Sequence, residues 1–301
     1  MVEFYDPIAG KNISYHIAPV ALKIWDKIRD GNLQMLNEDR IYLVDGREGT
    51  GKSSFAFQQA KYIDPTFTVD RICFDPDQFL KLLRTCEKGN VIVFDEAFRG
   101  LSSKGSRSSI NKKIVEALME VRQRNLIIFI VLPTIFLLEI YAAVFRSEGL
   151  FHVYKLKKKL VSGQRKRGFK IYNYEKKKQL YLRGRQKYFS YALPKIRRAK
   201  GEFYVKKNEQ YRSGIPYETF ELDKYLAKKD EAFKNKDKKE LSEDSKYKLQ
   251  RDLIIKGIYE DFIKSHRKLS AWLETKRVGL DKATIGVLLG KLAENEEMPN
   301  G

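Results

Sequence analysis

Five short apolar runs alternate with helical patterns in the first half of the chain, and this alternation constrains the fold more than any other feature. A leading helix over 18–31 precedes the runs. The runs lie at 41–45 (IYLVD), 71–75 (RICFD), 90–97 (NVIVFDEA), 126–133 (LIIFIVLP) and 150–156 (LFHVYKL). Strands that alternate with helices pair in parallel and are covered by helices on both faces. The sequence therefore predicts an α/β fold with a parallel sheet for residues 1–156.

The segment GREGTGKS, residues 46–53, follows the first predicted strand and precedes a predicted helix. It matches the spacing G-x-x-x-x-G-K-[S/T], in which glycines let backbone amides point at a phosphate. The lysine of this motif reaches the β- and γ-phosphates of a nucleotide, and the following serine ligates Mg²⁺. We therefore predict that ATP and Mg²⁺ bind here, at Gly46, Arg47, Glu48, Gly49, Thr50, Gly51, Lys52, Ser53 and Ser54.

Two acidic residues, Asp95 and Glu96, end the third predicted strand. Asp95 is expected to hold Mg²⁺ together with Ser53, and Glu96 to polarise the water that attacks the γ-phosphate. Two acids in tandem favour hydrolysis over simple nucleotide holding. The Asn-Lys pairs at 111–112 and 235–236 lack the aspartate of a guanine-reading N-K-x-D motif, which argues against a GTPase.

These motifs resemble those of the additional-strand, catalytic-glutamate branch of P-loop ATPases. The resemblance covers about residues 41–154 and includes GREGTGKS, VIVFDEA, the strand RQRNLIIFIVLPT and Arg146. It implies a sheet of order 5-1-4-3-2, with the five strands numbered along the chain. Thr134 then matches the polar sensor beside the γ-phosphate, or alternatively is only a helix N-cap. The chain is similar to FtsK/HerA-type DNA-pumping ATPases, viral packaging ATPases and zonula-occludens-toxin-like assembly proteins of filamentous phages.

Many members of this branch work as rings, in which an arginine of one subunit reaches the γ-phosphate bound by its neighbour. Arg146 is the first candidate for that arginine, and Arg122 or Arg124 the second. A surface salt bridge is the alternative for each of them. The resemblance thus implies self-association into a ring, with Glu96, Thr134 and Arg146 as the catalytic set.

Positive charge is concentrated in residues 151–212, which hold 21 Lys and Arg against three acids, in a chain of net charge +20. Aromatic residues are interleaved with these cations, a pattern that favours nucleic-acid binding by phosphate neutralisation and base stacking. A solvated strand face or an anionic-membrane contact is the alternative. The loop after Glu96 adds three cations, although it is equally typical of a plain surface loop. The predicted DNA contacts are Arg99, Lys104, Arg107, Arg165, Lys166, Arg167, Lys170, Arg183, Arg185, Lys187, Arg197 and Arg198.

Composition divides the chain beyond the predicted ATPase core of 1–156. A basic, aromatic and β-rich segment covers 157–227, in which EKKK is expected to form a hairpin turn. A charged linker or helix covers 228–252. Two amphipathic helices within 253–301 are typical of a helix-turn-helix, which would contact DNA or, alternatively, dock a protein.

The sequence favours a cytoplasmic location. Two cysteines, Cys73 and Cys86, imply no disulfide framework and favour a reducing compartment. The N-terminus lacks a basic region followed by an apolar one, so no secretory signal is indicated. The apolar run 126–145 is long enough to cross a bilayer, but Pro133 divides it into a strand-like and a helix-like half. We therefore expect no membrane span.

The function predicted from these features is that of an oligomeric ATPase that moves or remodels DNA, in packaging or replication of a viral or plasmid genome. One alternative is a DNA-binding switch that assembles with ATP and turns over slowly. Another is a membrane-associated phage-assembly ATPase.

Overall fold

The computed structural model describes residues 1–29, 39–97, 109–120, 124–159, 165–192, 198–205, 219, 221–232, 234 and 251. The chain divides into two compact units, Met1–Asp230 and Glu231–Gly301. The predicted helix-turn-helix within 253–301 and residues 235–250 of the predicted linker lie outside the described residues. The described fold is therefore essentially that of the first unit.

Strands form the centre of the first unit. Their bounds are β1 Val2–Asp6, β2 Lys11–Tyr15, β3 Arg40–Asp45, β4 Ile72–Cys73, β5 Val91–Phe94, β6 Ile127–Leu132, β7 Gly149–Lys159, β8 Arg165–Asn173 and β9 Ala199–Phe203. β1 and β2 form an antiparallel hairpin, and the other strands form one sheet of order β4-β5-β6-β3-β7-β8-β9. The strands from β4 to β7 in this order pair in parallel, whereas β8 and β9 are antiparallel.

This sheet differs from the five-stranded one that the resemblance implied, because β8 and β9 extend it beyond β7. When the parallel strands β3 to β7 are numbered 1 to 5 along the chain, their spatial order is 5-1-4-3-2. The complete sheet, however, has seven strands and is mixed. The predicted domain boundary at 156/157 falls inside β7, where Lys155 pairs with Arg167 of β8. The basic segment therefore shares one sheet with β3, the strand that precedes the predicted phosphate loop at residues 46–53.

Helices flank the sheet. β5 and β6 are buried at every residue, as expected for apolar parallel strands covered on both faces. The bounds are α1 Pro19–Lys27, α2 Lys52–Ile63, α3 Pro76–Thr85, α4 Ser109–Glu120, α5 Tyr174–Gln186 and α6 at residues 222–232.

The run EKKK, predicted to be a hairpin turn, lies in α5. The side chain of Asn173 caps this helix by accepting a hydrogen bond from the Lys176 amide at 3.3 Å. Leu180, Tyr181 and Gly184 are buried at helical spacing. The hairpin prediction was wrong because the buried stripe of the helix begins within EKKK itself, at Lys177, whose charge conceals it in the sequence.

The segment after β6 also differs from its prediction, which was one helix up to Arg146. A 3₁₀ turn, Ile135–Leu137, and a π-helical segment, Tyr141–Arg146, stand in its place. The backbone of Leu138 is extended, with ψ of 150°, and interrupts the helix. Within the described residues, no helix is both long and apolar enough to cross a bilayer.

Two other elements anchor α2, the helix that follows the phosphate loop. Trp25 of α1 donates its Nε1 hydrogen to Gln59 Oε1 at 2.7 Å. Lys61 of α2, 1% exposed, forms an ion pair of 2.9 Å with Asp6 at the end of β1. The N-terminal hairpin, which the sequence analysis did not identify, therefore fixes the helix that carries the predicted site.

Candidate nucleotide-binding site

The predicted phosphate loop connects β3 to α2 at the carboxyl edge of the parallel strands. Gly46 has φ of 146° and Gly51 has φ of 88°, which L side chains rarely adopt. A Cβ atom at Gly46 would lie 2.1 Å from the carbonyl oxygen of Val153 in β7. The close approach of the loop to β7 therefore requires glycine at the first position of the motif.

The Lys52 ammonium folds back onto this loop. Its Nζ donates to the carbonyl oxygens of Gly46 at 2.9 Å and Arg47 at 3.2 Å. Burial lowers the pKa of Lys52, and the nearby carboxylates of Asp95 and Glu96 act in the opposite direction. A phosphate held in the loop would offer this ammonium charged oxygen atoms in place of carbonyls, and such hydrogen bonds are stronger.

A cavity of about 390 Å³ lies between the loop and the end of β5. The end of β6 contributes Val131, Leu132 and Pro133 to its wall. The predicted residues that line it are Glu48, Gly49, Gly51, Lys52, Ser53, Ser54, Asp95 and Glu96. Residues predicted from two separate motifs therefore face one cavity.

Asp95 and Glu96 follow β5 in a constrained turn. Asp95 is 2% exposed, and its Oδ1 accepts a hydrogen bond of 3.0 Å from the Glu96 amide. Glu96 has φ of 56°, a conformation that costs a non-glycine residue about 1–3 kcal/mol. The amides on either side hold the turn, since Asp95 donates to the Cys73 carbonyl and Ala97 to the Val131 carbonyl. The strained turn aims the two carboxylates into the cavity that they both line.

This arrangement fits a magnesium nucleotide. Mg²⁺ prefers oxygen ligands and is usually held by one or two protein groups together with phosphates. The Ser53 hydroxyl and the Asp95 carboxylate are such groups, and both line the cavity. Gly46, Gly49 and Gly51 have positive φ, the backbone conformation that lets a loop of this spacing turn its amides toward an anion.

Two residues of α6 occupy the same cavity, and the sequence analysis missed both. The Tyr225 hydroxyl donates to Asp95 Oδ2 at 2.7 Å and also forms a hydrogen bond with Ser53. Burial, and then the charge of Asp95, raises the pKa of Tyr225, so the phenol keeps its proton. Lys229 Nζ lies 3.2 Å from Glu96 Oε1. Ser53 and Asp95, the predicted Mg²⁺ ligands, and Glu96, the predicted base for the attacking water, thus have partners within the protein.

Thr134, the predicted sensor, lies outside this cavity. It precedes the 3₁₀ turn after β6 and caps it, accepting a hydrogen bond from the Phe136 amide at 3.5 Å. Its hydroxyl also lies 2.8 Å from the Tyr191 hydroxyl. The alternative interpretation, an N-cap, therefore describes its geometry better than the sensor role.

Thr134 instead lines a neighbouring cavity of about 650 Å³, on the β7 side of the loop. The buried Asp45 contacts two of the residues that line this cavity, His152 and Tyr191. His152 Nδ1 lies 2.8 Å from Asp45 Oδ1, Tyr191 donates to Asp45 Oδ2, and the His152 and Tyr191 rings stack with centroids 4.0 Å apart. These residues lie 107 and 146 positions from Asp45 along the chain, and no local motif marks them.

Arg146, the predicted arginine finger, is engaged within its own chain. Its guanidinium forms an ion pair with Asp39, whose side chain is 3% exposed, and its Nε donates to the Leu118 carbonyl at 2.7 Å. The second candidate, Arg124, donates to the carbonyls of helix α3 and the residue after it, and Arg122 lies outside the described residues. The geometry of Arg146 is that of a structural ion pair at the amino edge of the sheet.

The predicted DNA contacts are distributed unevenly. Arg183, Arg185 and Lys187 are exposed at the end of α5. Lys170 lies over the Tyr154 ring, and Arg198 donates to the Tyr172 hydroxyl and the Tyr191 carbonyl. Lys166 lies 3.7 Å from Glu202. Arg99, Lys104, Arg107, Arg197 and the side chain of Arg165 lie outside the described part of the chain.

Two cations, Lys155 of β7 and Arg167 of β8, lie against the predicted phosphate loop. A Cβ atom at Gly51 would meet Arg167 Nη1 at 3.3 Å, and one at Gly49 would meet Lys155 Nζ at 3.4 Å. Arg167 was predicted to contact DNA, whereas Lys155 belonged to no predicted site. Their positions add positive charge beside the candidate site.

Comparisons with known proteins add a fold-level likeness only. No family model matches the chain, and no curated protein matches it significantly. Among solved structures, the chain is similar to the N-terminal domain of zonular occludens toxin from Neisseria meningitidis, at 15% identity and a TM-score of 0.38. The match covers 58% of this chain and 99% of that one.

Proposed function

We propose that this protein is a magnesium-dependent ATPase. The observation that carries the proposal is the shared cavity, in which Lys52 and Ser53 at the start of α2 face Asp95 and Glu96 at the end of β5. A glycine-bent loop, an ammonium, a hydroxyl and two carboxylates are the groups that phosphoryl transfer to water requires.

Each of these residues has a distinct task in the proposed reaction. The loop amides and Lys52 would bind the β- and γ-phosphates, and Ser53 and Asp95 would hold Mg²⁺. When bound, Mg²⁺ neutralises negative charge on the phosphates. Glu96, on its strained turn, would orient a water molecule and accept its proton.

We further propose that nucleic acid is the partner of this ATPase. The cations Arg183, Arg185 and Lys187 are exposed at the end of α5, and the aromatic ring of the next residue, Tyr188, is also exposed. Cations beside an exposed ring suit a phosphate backbone with stacked bases. If about six cations met phosphates, the affinity would fall roughly a thousandfold between 50 and 200 mM salt.

The finer proposal is a cytoplasmic, ring-forming motor that uses ATP to move DNA in viral or plasmid genome packaging or replication. A DNA-binding switch with slow turnover is the second candidate, and one observation favours it: Lys229 is paired with Glu96 in the cavity. DNA-stimulated hydrolysis with displacement of a triplex strand would support the motor. ATP-dependent assembly on DNA without displacement would support the switch.

Glu96→Gln tests the proposed chemistry. The variant should still bind ATP, because the amide keeps the size of the side chain, and its hydrolysis rate should fall about 100-fold or more, because the base is lost. Phosphate release and equilibrium binding measure the two quantities. Glu116→Gln, at an exposed position on α4, is the matched control and should change neither. Normal turnover by the Glu96 variant would reject the assigned role of Glu96.

A further inference from the structure

One face of α6 points into the nucleotide cavity. Leu222, Tyr225 and Lys229 line the cavity and are spaced by three and four residues, so they share one side of the helix. Tyr225 contacts Asp95 and Ser53, and Lys229 contacts Glu96. The proposed reaction needs Ser53, Asp95 and Glu96 to be free, but side chains of one helix contact all three.

A different set of contacts docks α6 beside β4. Lys228 Nζ donates to the carbonyl oxygens of Val69 at 3.1 Å and Asp70 at 3.0 Å. Lys224 Nζ lies 2.9 Å from Asp70 Oδ2. These contacts involve neither the phosphate loop nor the two carboxylates that line the cavity. The cavity-facing side chains could consequently exchange partners while the docking contacts of the helix persist.

The contacts inside the cavity compete with a ligand. The Tyr225 hydroxyl hydrogen occupies a lone pair of Asp95 that a cation would need, and the same hydroxyl engages the Ser53 side chain. The Lys229 ammonium lies 3.2 Å from Glu96 Oε1 and occupies the carboxylate oxygen that would orient the attacking water. Both interactions oppose the proposed reaction.

We propose that Tyr225 and Lys229 form an autoinhibitory latch, which holds Ser53, Asp95 and Glu96 until a magnesium nucleotide displaces it. This inference rests on the proposed function and specifies how that site is regulated. Displacement breaks the Tyr225 hydrogen bonds and the Lys229 ion pair, so that part of the nucleotide binding energy is spent on opening the latch. Releasing the latch by mutation should therefore strengthen magnesium-nucleotide binding.

The test is equilibrium binding of a fluorescent ATP analogue, with and without Mg²⁺, to Tyr225→Phe, Lys229→Gln and the double variant. Phenylalanine preserves the ring, which packs 5.5 Å from that of Phe74, so the helix should stay docked. We expect about tenfold tighter binding to the double variant in the presence of Mg²⁺, the fold-change that corresponds to ~1.4 kcal/mol. Without Mg²⁺, the gain from Tyr225→Phe should disappear.

Matched controls separate the latch from general effects of mutation. Tyr5→Phe removes a hydroxyl from an exposed ring in β1, and Lys27→Gln removes a charge from the exposed last turn of α1. Both should bind as wild type does.

The outcomes distinguish the two proposals. Equal or weaker binding by the double variant overturns the latch and leaves the proposed function standing. Weaker binding together with lost turnover would mean that Tyr225 and Lys229 serve the reaction, which also overturns the latch. If neither wild type nor any variant binds the nucleotide, the proposed function fails and the latch fails with it.

Discussion

The two edges of the parallel sheet use charged side chains in opposite ways. At the carboxyl edge, Lys52 and Glu96 are half-buried around a cavity and are held by partners that a ligand could replace. At the amino edge, Arg146 pairs with Asp39, whose side chain is 3% exposed. Lys177 is fully buried there and donates to the Val144 carbonyl and the Ser147 hydroxyl.

This difference separates residues that stabilise the fold from residues that are available to a ligand. A buried ion pair contributes little net stability when intact, but breaking it leaves an uncompensated charge. Loss of a partner costs a half-exposed group beside a cavity little free energy, because water or a ligand can take the partner's place. We therefore expect mutations at the amino edge to change stability, and mutations of cavity side chains to change binding.

Arg146→Ala should have the largest effect on stability. It leaves the nearly buried Asp39 carboxylate without its partner, which should lower the free energy of unfolding by about 3–5 kcal/mol. Urea denaturation measures this change. Nucleotide affinity should stay at the wild-type value under conditions where the variant is folded.

Arg146→Lys is the control for that experiment. It keeps the positive charge but loses the Nε hydrogen bond to the Leu118 carbonyl, so it should recover part of the lost stability. If Arg146→Ala kept wild-type stability and lost only cooperative hydrolysis, Arg146 would be an arginine finger and the contrast between the two edges would fail.

Gly46→Ala tests the close packing of the predicted phosphate loop against β7 at the carboxyl edge. The new Cβ would require the Val153 carbonyl of β7 to move, and φ of 146° is strained for alanine. We expect a loss of about 2–3 kcal/mol in unfolding free energy, together with loss of nucleotide binding. Gly10→Ala is the control, because φ there is 62° and no atom lies within 4 Å of the added Cβ. That variant should lose only about 1 kcal/mol.

Lys177→Met should have an effect on stability that depends on pH. Burial lowers the pKa of Lys177 to about 7, against about 10.4 in an unfolded chain. Between these values the unfolded chain holds a proton that the folded chain has released, so stability rises with pH by up to ~1.4 kcal/mol per unit. Below pH 7 both states are protonated, and the contribution stays constant.

The measurement is urea unfolding of wild type and Lys177→Met at several pH values between 7 and 10. The wild-type free energy of unfolding should rise more steeply with pH than that of the variant. Parallel curves would show that Lys177 keeps its proton in the fold, held by the acceptors around Ser147.

The parts of the site that the sequence could predict are local. The phosphate loop and the pair Asp95 and Glu96 each occupy a few consecutive residues next to an apolar run, so spacing alone places them at strand ends. The parallel strands were identified for the same reason. Local propensity also suggested the N-cap role of Thr134, but could not choose between that role and a sensor.

The parts that could not be predicted depend on distant contacts. Tyr225 lies 130 residues after Asp95, and Lys229 lies 133 residues after Glu96. Neither belongs to a motif: Tyr225 lies in the segment predicted to be β-rich, and Lys229 lies in the predicted charged linker or helix. The partnership of Arg146 with Asp39, 107 residues apart, is equally invisible to local patterns. The antiparallel pairing of β8, in the basic segment, with β7 was not predicted either, because charge dominates the local pattern of that segment.

The most direct test of the account is an equilibrium titration of the wild type and Lys52→Ala with ATP in the presence of Mg²⁺. We predict that the wild type binds and that the variant binds about 100-fold more weakly, because a charged hydrogen-bond donor to the phosphates is lost. Urea unfolding should show nearly equal stability for the two proteins, since the hydrogen bonds of Lys52 are to loop carbonyl oxygens that water can also bind. Equal nucleotide affinity, or no binding by the wild type, would contradict the assignment of the carboxyl edge as a nucleotide site.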